Sequence, residues 1–316
     1  MNTYIKSTLL TLTLGITLFA CKNNNKVPET EVISEKVETE KTTAATPSQK
    51  PVTGIKLAKV WQTDSTLITS ESVLFDEKQG LYYVSCIGNV PPNKKDGDGY
   101  IATINQRGNI LNAAWVKGLD APKGMALSDG KLYVADITDF VIIDQASASI
   151  VKRINVPGST FLNDVALAPD GKIYFTDSDN NTIYVYFEEK VKLFKKDAGL
   201  GGTNGILVDH ETIYLAGFGN GDINTIDIES KDITKRAKAA VPGGDGIAPW
   251  EGGYIYSNWN GEVYFVNPNW EATKVLDTKE SKANAADISI NQKTGELLVP
   301  TFFDNRVVAY KIESIR

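Results

Sequence analysis

The stretch NDVALAPDGKIYFTD (163–177) reads as two short apolar strands joined by a tight turn at Asp170-Gly171. It opens on a polar residue, Asn163, and the same pattern returns along the chain. The copies are ESVLFDEKQGLYYVS (71–85), KGMALSDGKLYVAD (123–136), NGILVDHETIYLAG (204–217), DGIAPWEGGYIYSNW (245–259) and ADISINQKTGELLVP (286–300). Their first residues fall at 71, 123, 163, 204, 245 and 286, so the period is near 40 after a longer first step. The segment IGNVPPNKKDGDG (87–99) accounts for that extra length. A fixed period of this size made of short strands predicts an all-β, six-bladed β-propeller with one blade per repeat.

Closure of the ring gives the pattern chemical meaning. The innermost strand of each blade lines a central channel. A shared register therefore places Glu71, Lys123, Asn163, Asn204, Asp245 and Ala286 in one layer. Four of these offer side-chain oxygens, two as carboxylates, a set suited to a hard divalent cation such as calcium. Lys123 and Ala286 break the set. Lys123 either pairs with Glu71 and takes part of the metal's charge, or turns away to meet an anionic substrate. Ala286 leaves a gap, to be filled by water or by Asp287.

Composition narrows the function. The 316 residues carry a net charge of −6, which disfavours nucleic acid as a partner. One histidine and two cysteines leave too few ligands for a zinc site. The lone histidine, His210, falls in the turn Asp209-His210-Glu211, about 20 Å along the strand from the ring, and reads as an exposed turn residue. Gly217–Gly221 (GFGNG) has no helix after it and is a loop rather than a dinucleotide fingerprint. Glu189–Lys196 (EKVKLFKK) reads as a solvated outer strand.

The ends of the chain are read separately. Residues 1–21 carry a lysine and then an apolar run ending in Leu18-Phe19-Ala20-Cys21, the pattern of an export signal. Its end resembles a bacterial lipobox, which implies lipidation at Cys21 and a cell-envelope location, periplasmic or surface. An ordinary signal peptide that contains a cysteine is the competing reading. Residues 22–53, rich in Lys, Glu, Thr and Asn, read as a disordered tether to the membrane. The propeller is expected over 54–316. Its last repeat supplies only three strands, and Gly54–Trp61 is the natural fourth, closing the ring between the two termini. Turns at Asp129-Gly130, Gly252-Gly253 and Thr294-Gly295 are expected to join first and second strands. Tyr100, Phe140, Phe218, Trp259 and Phe303 lie in or beside the second-to-third connections. They either wall the channel mouth or pack between blades.

Over about residues 60–312 the chain resembles the six-bladed propellers of the senescence-marker-protein/gluconolactonase family, and more distantly paraoxonases and strictosidine-synthase-like proteins. The matching residues are Glu71 opening the first blade, Asn204 in Thr203-Asn204-Gly205, Asp245 in Asp245-Gly246, and the pair Asn163-Asp164. The resemblance implies that Glu71, Asn163, Asn204 and Asp245 hold a divalent metal, calcium by preference. It also implies that Asp245 acts as the base for water, and that Asn163 and Lys123 contact substrate. The implied activity is hydrolysis of a lactone or ester, a small-molecule substrate. The family's substrate arginine falls at Phe161, a departure that argues against polyhydroxy acid lactones. The alternative is a non-catalytic, envelope-anchored monomer that binds a ligand or protein through its loop face.

Overall fold

A computed structural model describes residues 50–316. The export signal, Cys21 and most of the tether lie outside the described residues. Of the tether, residues 50–53 are described: Val52 is buried, and the Thr53 N–H donates to the Ile315 carbonyl at 2.8 Å.

Among the described residues twenty-four strands form six four-stranded antiparallel sheets. The chain enters through β1 (Gly54–Gln62). The first blade is β2 (Ser70–Asp76), β3 (Leu81–Cys86), β4 (Gly99–Asn105) and β5 (Ile110–Leu119). The second is β6 (Pro122–Ser128), β7 (Lys131–Asp136), β8 (Asp139–Asp144) and β9 (Ser149–Asn155). The third is β10 (Leu162–Leu167), β11 (Ile173–Asp177), β12 (Thr182–Phe187) and β13 (Lys190–Lys196). The fourth is β14 (Thr203–Asp209), β15 (Thr212–Gly217), β16 (Asp222–Asp227) and β17 (Ile233–Lys238). The fifth is β18 (Gly244–Trp250), β19 (Gly253–Asn258), β20 (Glu262–Val266) and β21 (Ala272–Asp277). The sixth is β22 (Ser289–Asn291), β23 (Glu296–Pro300) and β24 (Val307–Ile315), and its outer strand is β1. β1 pairs antiparallel with β24 from Gly54↔Ile315 to Gln62↔Val308, the closure expected from the sequence.

Apolar side chains from facing sheets fill the space between blades. Between the second and third blades Phe140 stacks on Phe175 with centroids 4.4 Å apart, and Tyr133, Tyr184 and Tyr186 complete the layer. Phe140 is thus core. Tyr100 also packs inward, its hydroxyl donating to Thr66 O and accepting from Ile68 N. The outer strand β13 holds only half-buried and exposed positions, the solvated outer strand its charge pattern suggested. Asp129 and Gly130 both take positive φ, the conformation a tight two-residue hairpin requires. In the fifth blade the turn residues are Glu251 and Gly252, one earlier than expected, because β19 begins at Gly253. Cys86 is buried without a disulfide, and burial pushes its thiol up to about 12.

Candidate functional site

The ladder between first and second strands slips in all five blades built from consecutive strands, and it slips at the ring residue. Register breaks fall between Ser70 and Ser72, Pro122 and Met125, Leu162 and Val165, Thr203 and Ile206, and Gly244 and Ile247. A bulge frees a residue from its pairing and re-aims its side chain. The freed residues are Glu71, Lys123, Asn163, Asn204 and Asp245, and all five line one cavity of about 520 Å³ at the channel mouth.

The residue after each ring position is fixed by a hydroxyl from the second strand in three blades. Ser85 Oγ accepts the Ser72 N–H at 3.0 Å, Thr176 Oγ1 that of Asp164 at 3.0 Å, and Ser257 Oγ that of Gly246 at 2.8 Å. Two of these hydroxyls then donate to the ring residue of the next blade, Thr176 to Asn204 O and Ser257 to Ala286 O, each at 2.7 Å. The chain entering the ring is held from below as well. Asp136 accepts from the N–H groups of Asp120 and Ala121, and Asp177 from those of Thr160 and Phe161. Neighbouring inner strands approach so closely that a Cβ on Gly205 would lie 1.8 Å from Asp245 O. Only glycine fits there.

The floor of the cavity is polar and incompletely bonded. Glu71 Oε2, Asn204 Oδ1 and Asp245 Oδ1 are buried with no hydrogen-bond partner in the protein. Asn163 donates its amide to Ser178 Oγ at 3.2 Å, and Ser178 donates on to Thr203 O. Asp164 does not join them. Its carboxylate accepts from Val165 N (2.6 Å) and from Ile206 N (2.7 Å) of the next blade. Asp287 likewise accepts from Ser72 Oγ, tying the sixth blade to the first. These two carboxylates stitch the blades together, a layer the sequence reading missed.

Charge is concentrated here. Burial first, then the charges of Asp245 and Asp287, raises the Glu71 carboxyl well above its ordinary range. Burial and Asp287 raise Asp245, and the same causes raise Asp164. Asp287 is pushed up to about 7, again by burial. Lys123 is the buried cation that faces them, and burial lowers it to about 8. Its ammonium does not form an ion pair with Glu71. It donates to Ala121 O (2.8 Å) and Pro92 O (3.2 Å) and sits 4.4 Å over the Phe161 ring.

The wall of the cavity is apolar. Val90, Pro91 and Pro92 come from the long β3–β4 loop, and Phe161 precedes β10. Phe218 and Trp259 come from the β15–β16 and β19–β20 connections, and Phe302 and Phe303 from β23–β24. Trp259, Phe302 and Phe303 meet edge to face with centroids 4.9–5.7 Å apart. Of the five aromatics placed at these connections by sequence, Phe218, Trp259 and Phe303 wall the mouth. The gap expected at Ala286 is closed by apolar packing against Ile87 and Phe302. His210 stays exposed in its turn, paired with Asp209.

The donor set tests whether a metal suits this floor. Among the described residues no group of three or more His, Cys, Asp or Glu side chains is arranged to hold a metal. The ring carries two carboxylates and two amides, and three of their oxygens lack partners. Oxygen donors of mixed charge, left unsatisfied in a buried site, fit a hard cation.

No protein-family model matches the chain, and no curated protein matches it in sequence. Solved structures share its fold. A gluconolactonase from Xanthomonas campestris is 15% identical, with 83% of this chain and 91% of that chain covered and a TM-score of 0.64. A catalytically inactive virginiamycin B lyase from Staphylococcus aureus with quinupristin is 16% identical, with 81% and 99% covered and a TM-score of 0.59. A streptogramin B lyase is 11% identical, with 84% and 100% covered and a TM-score of 0.57. At these identities the likeness concerns the fold alone.

Proposed function

We propose that this protein is a divalent-cation-dependent hydrolase of lactone or ester bonds, exported and anchored to the cell envelope through a lipidated Cys21. The observation that carries the reading is the trio of unpartnered buried oxygens on Glu71, Asn204 and Asp245 at the floor of one cavity. Leaving such groups unpaired costs about 1–3 kcal/mol each, and a bound cation removes that cost. Glu71, Asn163, Asn204 and Asp245 would hold it, with calcium the best match for oxygen donors. When bound, the cation supplies Lewis-acid polarisation of the scissile carbonyl. Asp245 takes the proton of the attacking water at the carboxylate oxygen not given to the cation, and Asn163 orients the substrate through its amide. Phe161, Trp259 and Phe303 exclude water from the floor. That a gluconolactonase and two lyases share the fold is compatible with this reading and does not choose the reaction.

A second reading, a non-catalytic propeller that binds its ligand through the loop face, is favoured by the apolar wall. A calcium titration of thermal unfolding separates the two. A ligand at a hundredfold excess over its Kd stabilises the folded state by about 2.7 kcal/mol. The hydrolase reading expects a rise in midpoint with calcium. A flat response to calcium, magnesium, manganese and zinc removes it.

A further inference from the structure

We propose that the cavity is built for the apolar portion of a neutral acyl substrate, an alkyl- or aryl-substituted lactone or ester, and against a polyhydroxylated ring. The proposal rests on the hydrolase reading and names its substrate class. Exposed apolar side chains converge on this one mouth: Val90 is 51% exposed, Phe218 40% and Phe303 54%. Scattered exposed apolar residues need no explanation, but a contiguous patch over a polar floor marks a ligand site. The volume of about 520 Å³ suits a small molecule rather than a protein segment.

Polar capacity is confined to the floor. A polyol needs a partner for each hydroxyl, because a hydroxyl buried without one loses its hydration uncompensated. The wall supplies aromatic faces and proline rings. The amine in the wall is Lys123, whose ammonium is already spent on two carbonyls and the Phe161 ring. Its bond to Pro92 O holds the β3–β4 loop over the cavity, so Lys123 shapes the wall instead of offering a free charge. The wall therefore keeps no free cation for an anionic substituent. The arrangement therefore takes a carbonyl at the floor and a hydrocarbon against the wall.

The test uses probes that bind without turnover. In 2-alkylcyclopentanones a ring carbonyl is kept and the ester oxygen is lost. Their binding to the calcium-loaded protein is followed by calorimetry and by Trp259 emission. Affinity should rise about three- to fourfold per added methylene, and myo-inositol should not bind measurably. Phe303→Ser, at a position 54% exposed, should lower affinity for the longest ketone about tenfold or more and affect the shortest less. A flat chain-length series, tighter binding of inositol, or preference for a quaternary ammonium of equal size would overturn the proposal. Chain-length-dependent binding with no hydrolysis of the matching lactones would sink the hydrolase reading and leave the apolar site standing. Hydrolysis without chain-length dependence would do the reverse.

Discussion

The central channel has two mouths, built from opposite ends of the same inner strands. The far mouth is a cavity of about 420 Å³ lined by Leu74, Leu127, Leu167 and Leu207, close in size to the loop-face cavity. Its buried carboxylate, Asp76, is saturated. Asp76 accepts from Lys78 N (2.9 Å), Gln79 N (3.0 Å) and Gln145 Nε2 (2.8 Å), and Gln145 and Gln79 also reach the Tyr83 hydroxyl. At the loop face the carboxylates Glu71 and Asp245 each keep an oxygen with no partner. Volume does not distinguish the two mouths; satisfaction of polar atoms does. One end spends its buried charge on holding a turn, and the other holds it ready for something brought from outside.

The largest expected effect breaks or upholds that contrast directly. Glu71→Gln combined with Asp245→Asn should abolish the calcium-induced rise in unfolding midpoint, a loss of about 2.7 kcal/mol at a hundredfold excess over Kd. Without calcium the same variant should be no less stable than the parent, since it removes carboxylates held in an unfavourable burial. A variant that loses calcium-free stability would show that these groups serve the fold.

Asp76→Ala should behave in the opposite way. Three donors lose their acceptor, at a cost of about 1–3 kcal/mol in denaturant unfolding. The calcium response should persist unchanged, and its loss would join the two mouths into one system.

The smallest effect sharpens the electrostatic side. Asp287 has a folded value of about 7 against an ordinary 3.8, so in the calcium-free protein the folded chain keeps a proton that the unfolded chain has released. The stability this group contributes is therefore greatest below about pH 4, falls as pH rises through the folded value, and levels above it. Between about pH 6.5 and about pH 7.5 the decline from this group is at most about 1.4 kcal/mol, measured by denaturant unfolding in chelator. Stability that rises over this interval would contradict the carboxylate placement.

The architecture was legible because a propeller repeats: one blade's pattern is read six times, and a loop of thirteen residues explains the single irregular step. The ring was legible for the same reason, since register carries Glu71 to Asp245 around the axis. What remained hidden depends on contacts across blades. Nothing in the local sequence says that Asp164 reaches Ile206 N, or that Asp287 reaches Ser72. The bulges at the ring have a faint signature. A Ser or Thr near the end of the second strand, as at Ser85, Thr176 and Ser257, is the residue that catches the freed N–H. The direction of Lys123 was undecidable from sequence, because its partners are backbone carbonyls contributed by a loop more than thirty positions away and by a residue two positions before it.

The pairing of β1 with β24 gives the ring a seam. Ala286 and Asp287, at the inner edge of the blade assembled from both termini, abut the first blade, where the Asp287 N–H donates to Glu71 O at 3.0 Å and the Phe302 N–H to Ser70 O. The seam itself lies at the rim, between β24 and β1, and β1 runs directly on into β2, the strand that carries Glu71. Trimming the chain past Gly54 from the front, or past Ile315 from the back, would loosen this joint first. The pocket's competence is in that sense a gauge of whether both tails of the polypeptide are in their places.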